Sequence, residues 1–502
     1  MTRKLRCAGL LLMLGGAMLA ADRDHDGIPD DWETNGVTVT LPGGRTRYLD
    51  LPHMGASPDH KDIIVWINWM RAPDHSHKPI ANTSKAPDGS GRAIEQLALD
   101  RIKSAFLNRG INLILIYADD PLDEVPQIGD TDPDGNYLWD NLDTLTRSQF
   151  PIAPDGFDRA VHLCTFIHQM SGQAIAYTGL AKTIPGREFL VSLGGSSNHV
   201  GSADSQEGTF MHELGHDLGL KHGGADDILL KPNYLSVMNY LFQVTGLQID
   251  QTFGNFDYSD HKFDFDERTV DGRRGVTTDK TLSRYGSAEV CDPFFARYRY
   301  FASVNSPIRW DCTNNPPNAG PAPKDVNKDG STQLLTGWHD WNSIALAPFA
   351  PGAGAPILTT PQPTQELPLN RIAQILAGLT VPSISVTRQP NGINIQWQGL
   401  SLDSVVAYEL LRTRPGGHTD IIRQTKKNQF LDTTAQPGVA YAYRVRMVFN
   451  GLSSQAIDEA AATIQGVAKM LTEAIRTVIP LRQRLNDVLM RGRASAPVYA
   501  AK

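Results

Sequence analysis

The sequence predicts an α+β chain in two folded parts, a mixed sheet backed by helices and then an all-β sandwich. Three observations carry this. Between Asp62 and Gly195, apolar runs of strand length alternate with a helical pattern, the order expected of a sheet covered by helices. From Ala347 to Pro368 the chain is dense in Pro, Gly and Ala with almost no charge, which marks a linker. Beyond it, from Ile384 to Ile457, short alternating segments recur between turn residues, the pattern of a sandwich.

At the N-terminus, Thr2-Arg3-Lys4-Leu5-Arg6 leads into the apolar run Cys7 to Ala20, too short to span a bilayer and ending in small residues. Residues 1–21 therefore read as a secretory signal peptide, and the mature chain is expected outside the cytoplasm: secreted, periplasmic or at the cell surface. The segment 22–57 opens with Asp22-Arg23-Asp24-His25-Asp26-Gly27-Ile28-Pro29-Asp30-Asp31-Trp32-Glu33. Asp22, Asp24, Asp26, Asp30 and Glu33 fall at loop positions that present oxygen to calcium, Ile28 offers a carbonyl, and Gly27 takes the sharp turn.

Residues 58–346 are expected to form the catalytic part. Strands are predicted over Ile63–Trp69, Ile111–Tyr117, Val161–Ile167 and Glu188–Leu193, with an amphipathic helix over Ile94–Leu107. The acidic stretch Asp119 to Asp143 reads as a solvated loop, its charges scattered among Pro, Gly and Asn. His75, His77, His162 and His168 lack ligand spacing to the histidine motif at 212–222 and read as surface or satisfied core residues.

The stretch Phe210 to Gly224, FMHELGHDLGLKHGG, carries the chemistry. His212 and His216 are four apart, so on a helix they share one face with Glu213 beside them. Gly219 allows the helix to stop at positive φ, so that the chain turns back and His222 reaches the same ion. Three imidazoles suit Zn2+ with a position left for water, on which Glu213 can act as general base.

The pattern H-E-x-x-H-x-x-G-x-x-H, followed by Ser236-Val237-Met238-Asn239-Tyr240, resembles the metzincin metallopeptidases, whose second signature is a methionine turn under the zinc. The resemblance covers about thirty residues, Gly208 to Tyr240. It implies a metzincin-like catalytic domain with the zinc helix under a mixed sheet, Met238 as an apolar support, and Tyr240 as a phenol able to approach the zinc. It implies hydrolysis of protein or peptide substrates, extracellular glycoproteins among them. Gly223, after the third histidine, matches no common metzincin family.

Asp325, Asn327, Asp329 and Ser331 repeat the calcium-loop opening, but Thr336 replaces the closing acid, and Asp340 is the candidate to supply Ca2+ with an oxygen from outside the loop. A turn cluster without metal is the competing reading. After the linker, set at 347–380, residues 381–463 resemble a fibronectin type III domain, an immunoglobulin-like sandwich. Trp397 falls on its second strand and Tyr441, after Pro437-Gly438, on its tyrosine corner. Residues 464–502 read as a C-terminal amphipathic helix, interrupted at Pro480, and a tail.

The chain has 502 residues with 41% hydrophobic and 20% charged side chains, which fits several globular domains. A net charge of -7 with no long basic run excludes nucleic acid as a partner. No segment after residue 21 is apolar over about 18 residues, so no membrane span is expected. An oxidising compartment makes Cys291 and Cys312 a disulfide candidate, while Cys164, in an apolar strand, reads as a buried thiol. A second reading of the whole chain stays open: a calcium-dependent adhesion or glycan-binding protein whose zinc is structural.

Overall fold

The computed structural model describes residues 21–85, 93–131, 137–138, 140–170, 177–196, 198–292, 297–311, 320–346, 384–397, 405–414, 419–436, 439–449 and 498–499. The expected signal peptide (bar Ala21), the expected linker and C-terminal helix, and Cys312 lie outside them.

In chain order the first part comprises α1 (Asp30–Asn35), β1 (Val37–Thr40), β2 (Thr46–Leu49), β3 (Lys61–Arg71), β4 (Ile80–Lys85), β5 (Ala93–Leu97), α2 (Asp100–Leu107), β6 (Ile111–Tyr117), β7 (Leu122–Asp123), β8 (Asp130–Thr131), β9 (Tyr137–Leu138), α3 (Asp140–Thr146), α4 (Phe157–Ala160), β10 (Val161–Ile167), β11 (Gly179–Ala181), β12 (Glu188–Ser192) and α5 (Ala203–Asp217). The central sheet has the order β11-β12-β10-β3-β6, with β7 continuing beside the end of β3. Strands β12, β10, β3, β6 and β7 run parallel, whereas β11 pairs antiparallel with β12 and closes one edge. The sheet is therefore mixed, as its alternating pattern predicts. Strands β3 and β10 are buried nearly throughout, which explains why their sequences are continuous apolar runs.

One prediction fails locally. The helix expected over Ile94–Leu107 exists only as α2, and its first part is β5, paired antiparallel with β4. The run Ala93–Leu97 is too short for its period to distinguish helix from strand, and Asp100 marks the true helix start by placing a negative charge in the first turn.

Helix α5 packs against β11 and β12. Phe210 sets its ring 5.2 Å from Phe189 of β12 and 6.4 Å from Phe166 of β10. Its first turn is capped by Ser202, whose Oγ accepts from the Ser205 amide at 3.1 Å. Arg101 of α2 pairs with Asp204 and Glu207 of α5, holding the two helices together on this face.

The second part forms two antiparallel sheets. Ile384–Gln389, Gly392–Trp397 and Gln429–Asp432 make the first. Thr419–Thr425, Val405–Thr413, Ala442–Phe449 and Val498–Tyr499 make the second. Trp397 of one sheet lies 5.6 Å from Tyr408 of the other, and the Arg412–Asp432 ion pair also joins them, so the sheets face each other across a shared core. The last strand comes from the C-terminal tail, beyond the boundary at 463 that the sequence pattern marks. A two-residue strand leaves no periodic signal. Among the described residues, no helix is long and apolar enough to cross a membrane.

Candidate metal centre

Helix α5 ends at Asp217, and Gly219 at φ +94° turns the chain back, the conformation for which a glycine is needed here. His222 then returns to the helix. The Nε2 atoms of His216 and His212 lie 3.2 Å apart, and those of His216 and His222 lie 3.1 Å apart. The other ring nitrogens are occupied: His212 Nδ1 donates to the Val237 carbonyl at 3.0 Å, and His216 Nδ1 to the Leu220 carbonyl at 2.8 Å. These bonds place the proton on Nδ1 and leave the Nε2 lone pairs converging on one point. A shared cation resolves that repulsion. Zinc bonds of about 2.0–2.1 Å in a tetrahedron put ligand nitrogens roughly 3.3 Å apart, close to the spacings here. The donor set therefore fits Zn2+.

The residues around this point are buried, and the backbone comes unusually close to them. A Cβ on Gly215 would lie 2.3 Å from Met238 Sδ, so only glycine lets the methionine seat against the helix between its two histidines. Met238 thus packs against α5 between His212 and His216. One heptad earlier, a Cβ on Gly208 would meet the Gln243 carbonyl at 1.7 Å. The turn itself is fixed by Ser236, whose Oγ accepts from the Met238 amide, and by Asn239, whose Nδ2 donates to the carbonyls of Lys231 and Tyr234. Tyr240 is brought to the histidines: its hydroxyl is 3.0 Å from His222 Nε2.

Glu213 is buried beside Gly179 of the edge strand β11, where a Cβ would fall 2.6 Å from its Oε1. Asp217, one turn on from Glu213, meets His162 Nδ1 at 3.0 Å, and burial pushes its carboxyl up to about 6 while the histidine pulls the other way. His162 is the satisfied core residue that its apolar strand predicts. Gly223 also has a physical reason, since a Cβ there would strike Asp226 Oδ1 at 2.1 Å. Asp226 in turn holds the buried Lys231, both of its oxygens 3.0 Å from Nζ.

The first acidic loop gathers carboxylates that could hold an ion. Oxygens of Asp22, Asp24 and Asp26 form one group within 4.8 Å, and those of Asp26, Glu33 and Asp62 another. Gly27 turns at φ +94°, and its amide donates to Asp22. Asp30 accepts from the Arg23 amide across the loop, and the Ile28 side chain is buried. Burial and mutual charge raise Asp26 to about 7 and Glu33 to about 9, the situation that a bound cation relieves. Asp62 is absent from the sequence motif because it stands on β3, tied in by its amide bond to Asp26 Oδ2 at 2.6 Å.

In the second acidic loop Asp325 accepts from the amides of Lys328 and Gly330, and Asp329 from Ser331, Asn327 and Gln333, turn bonds like those of Asp22 and Asp26 in the first loop. Glu267 closes the loop by accepting from the Val326 and Gln333 amides. Asp340 is not brought there: both its oxygens accept from the Tyr234 hydroxyl, and one also from the Ser259 amide. Asp340 instead anchors Tyr234, just before Ser236. Cys164 is a buried free thiol, and Cys291 is disulfide-bonded.

His75, His77 and His168, expected as surface or satisfied core residues, and Glu124, expected in a solvated loop, instead come together where the parallel strands end. The signal available was the pair His75-Ser76-His77, two imidazoles two residues apart. No protein-family profile matches the chain, and no curated protein matches its sequence.

Proposed function

We propose that the protein is an exported, zinc-dependent endopeptidase with a metzincin-like catalytic domain and a fibronectin type III-like sandwich. The observation that carries this reading is the convergence of three histidine Nε2 atoms on one helix and its return loop, with Glu213 on that helix and Met238 beneath. A zinc ion held by His212, His216 and His222 supplies Lewis acidity toward a water and the scissile carbonyl. Glu213 takes the proton of the attacking water and delivers it to the leaving nitrogen. Its burial against Gly179 keeps bulk water from competing for that proton. Tyr240 donates its hydroxyl hydrogen to the oxyanion that develops on the carbonyl. Strand β11, the edge of the sheet beside Glu213, offers a backbone along which an extended peptide can lie.

The sandwich assignment is supported by Tyr441, whose hydroxyl accepts from the Gln436 amide at 3.2 Å, the bond expected of a tyrosine corner. An adhesion protein with a structural zinc has no need of a buried glutamate beside the ion, and Glu213 therefore favours the enzyme. Casein hydrolysis by the purified chain, abolished by a zinc chelator and restored by zinc, tests the reading. Zinc binding without hydrolysis of casein or of a peptide library would leave the adhesion reading in its place.

A further inference from the structure

We propose that His75, His77, His168 and Glu124 form a second zinc site, independent of the His212 cluster, that pins the carboxyl-terminal ends of the central strands. Their nitrogen and oxygen atoms lie within 4.8 Å of one another. His75 Nε2 and His77 Nε2 each stand 2.9 Å from Glu124 Oε2. His168 Nδ1 is 3.3 Å from His77 Nε2 and 3.5 Å from Glu124 Oε1. These separations bracket the roughly 3.3 Å edge of a tetrahedron with metal–ligand bonds of about 2.0–2.2 Å. Three imidazoles and one carboxylate are a borderline-soft set, which suits zinc and excludes calcium and magnesium, whose ligands are oxygens.

The shell around the four ligands fits the same reading. Asp74 Oδ1 lies 2.9 Å from His75 Nδ1, fixing that ring so that Nε2 faces inward. The His77 side chain is 3% exposed, and those of Glu124, His168 and His75 are 13%, 15% and 16% exposed, so the centre is shielded yet reachable.

Topology explains why residues so distant in sequence meet. The parallel strands β3, β6 and β10 all end at one edge of the sheet. The turn after β3 carries His75 and His77, the segment after β6 and β7 carries Glu124, and His168 directly follows β10. That edge is where parallel sheets place ligands. The loop leaving β12 also reaches the cluster: the His199 ring, at φ +63°, lies tilted 5.0 Å from His75 and stacked 5.7 Å from His168, and the Gly194 amide donates to the His168 carbonyl at 2.7 Å. This loop leads into α5, so the ion would brace the approach to the catalytic helix. With four protein ligands the site is closed, and its role is structural.

The test is zinc content and anomalous diffraction at the zinc edge on the full mature chain, loaded with zinc alone and dialysed. The wild type is expected to hold two zinc ions per chain, one within the His75/His77/His168/Glu124 group. The double variant His75→Ala/His77→Ala should lose that ion and keep the other, while His216→Ala should do the reverse. Glu124→Gln, which preserves shape, should weaken zinc at this site by at least about tenfold and guards against a misfolded double variant. A wild type with a single zinc that His75→Ala/His77→Ala loses and His216→Ala keeps would support this site and defeat the peptidase reading. No anomalous peak in the group, or two ions retained in the double variant, would overturn the proposal.

Discussion

The hydroxyl of Tyr240 lies 3.0 Å from Nε2 of His222, although the two residues belong to different turns and are eighteen positions apart. The phenol therefore stands beside the histidine group. In the proposed mechanism it turns toward the carbonyl oxygen when substrate binds, and Tyr240→Phe would remove a donor used mainly in the transition state. The turnover rate should fall by about tenfold to a thousandfold, with the Michaelis constant and zinc content nearly unchanged. Steady-state kinetics with metal analysis checks this, and an unchanged turnover rate would make Tyr240 a packing residue.

Gly215 and Met238 form a contact that admits no larger residue. In Gly215→Ala the new methyl must displace Met238 Sδ, and overpacking of this kind costs about 1–3 kcal/mol. A lower melting temperature together with weaker zinc retention is expected, because the same shift disturbs Val237, whose carbonyl orients His212. Pairing Gly215→Ala with Met238→Ala should recover part of the loss in retention.

Calcium should raise the melting temperature through the first acidic loop alone. Binding to the folded state stabilises it by mass action, and Asp22, Asp24, Asp26, Glu33 and Asp62 are already gathered. Differential scanning calorimetry with and without calcium should show the rise in the wild type and in Asp325→Asn, and its loss in Glu33→Gln. A response that vanishes in Asp325→Asn but survives Glu33→Gln would reverse the assignment.

Lys231 is fully buried, and its ammonium is held by Asp226 and the Thr336 carbonyl. Asp226→Ala leaves the buried ammonium without its partly exposed carboxylate, a loss of about 1–3 kcal/mol, the range for removing a hydrogen-bond partner from a charged buried group. Chemical denaturation should show it. Asp226→Ala/Lys231→Met should be more stable than Asp226→Ala alone, and equal stability of the two would mean that the pair is unimportant.

How far the sequence is legible follows the range of the interactions. The α5 histidines, the glycine stop and the methionine turn were readable because helix period and turn chemistry act within a few residues. The strands Ile63–Trp69 and Val161–Ile167 were readable because burial on both faces leaves unbroken apolar runs. Asp62, Asp340 and the His75 group were not, because sheet topology, and no local rule, decides what they meet. Glu124 looked solvated among Pro and Gly and is instead drawn under three imidazoles. Ala93–Leu97 was misread because a five-residue segment carries both periods equally well.

In the proposed function, Glu213 moves the proton in a zinc-dependent hydrolysis. The most direct measurement compares wild type and Glu213→Gln, both with zinc at the His212 site verified, for the rate of cleavage of a quenched-fluorescence peptide selected from a library by the wild type. The account predicts unchanged zinc content and fold, with a rate lower by several orders of magnitude, of order a thousandfold or more. A zinc-loaded, folded Glu213→Gln protein that cleaves the peptide at the wild-type rate would contradict it.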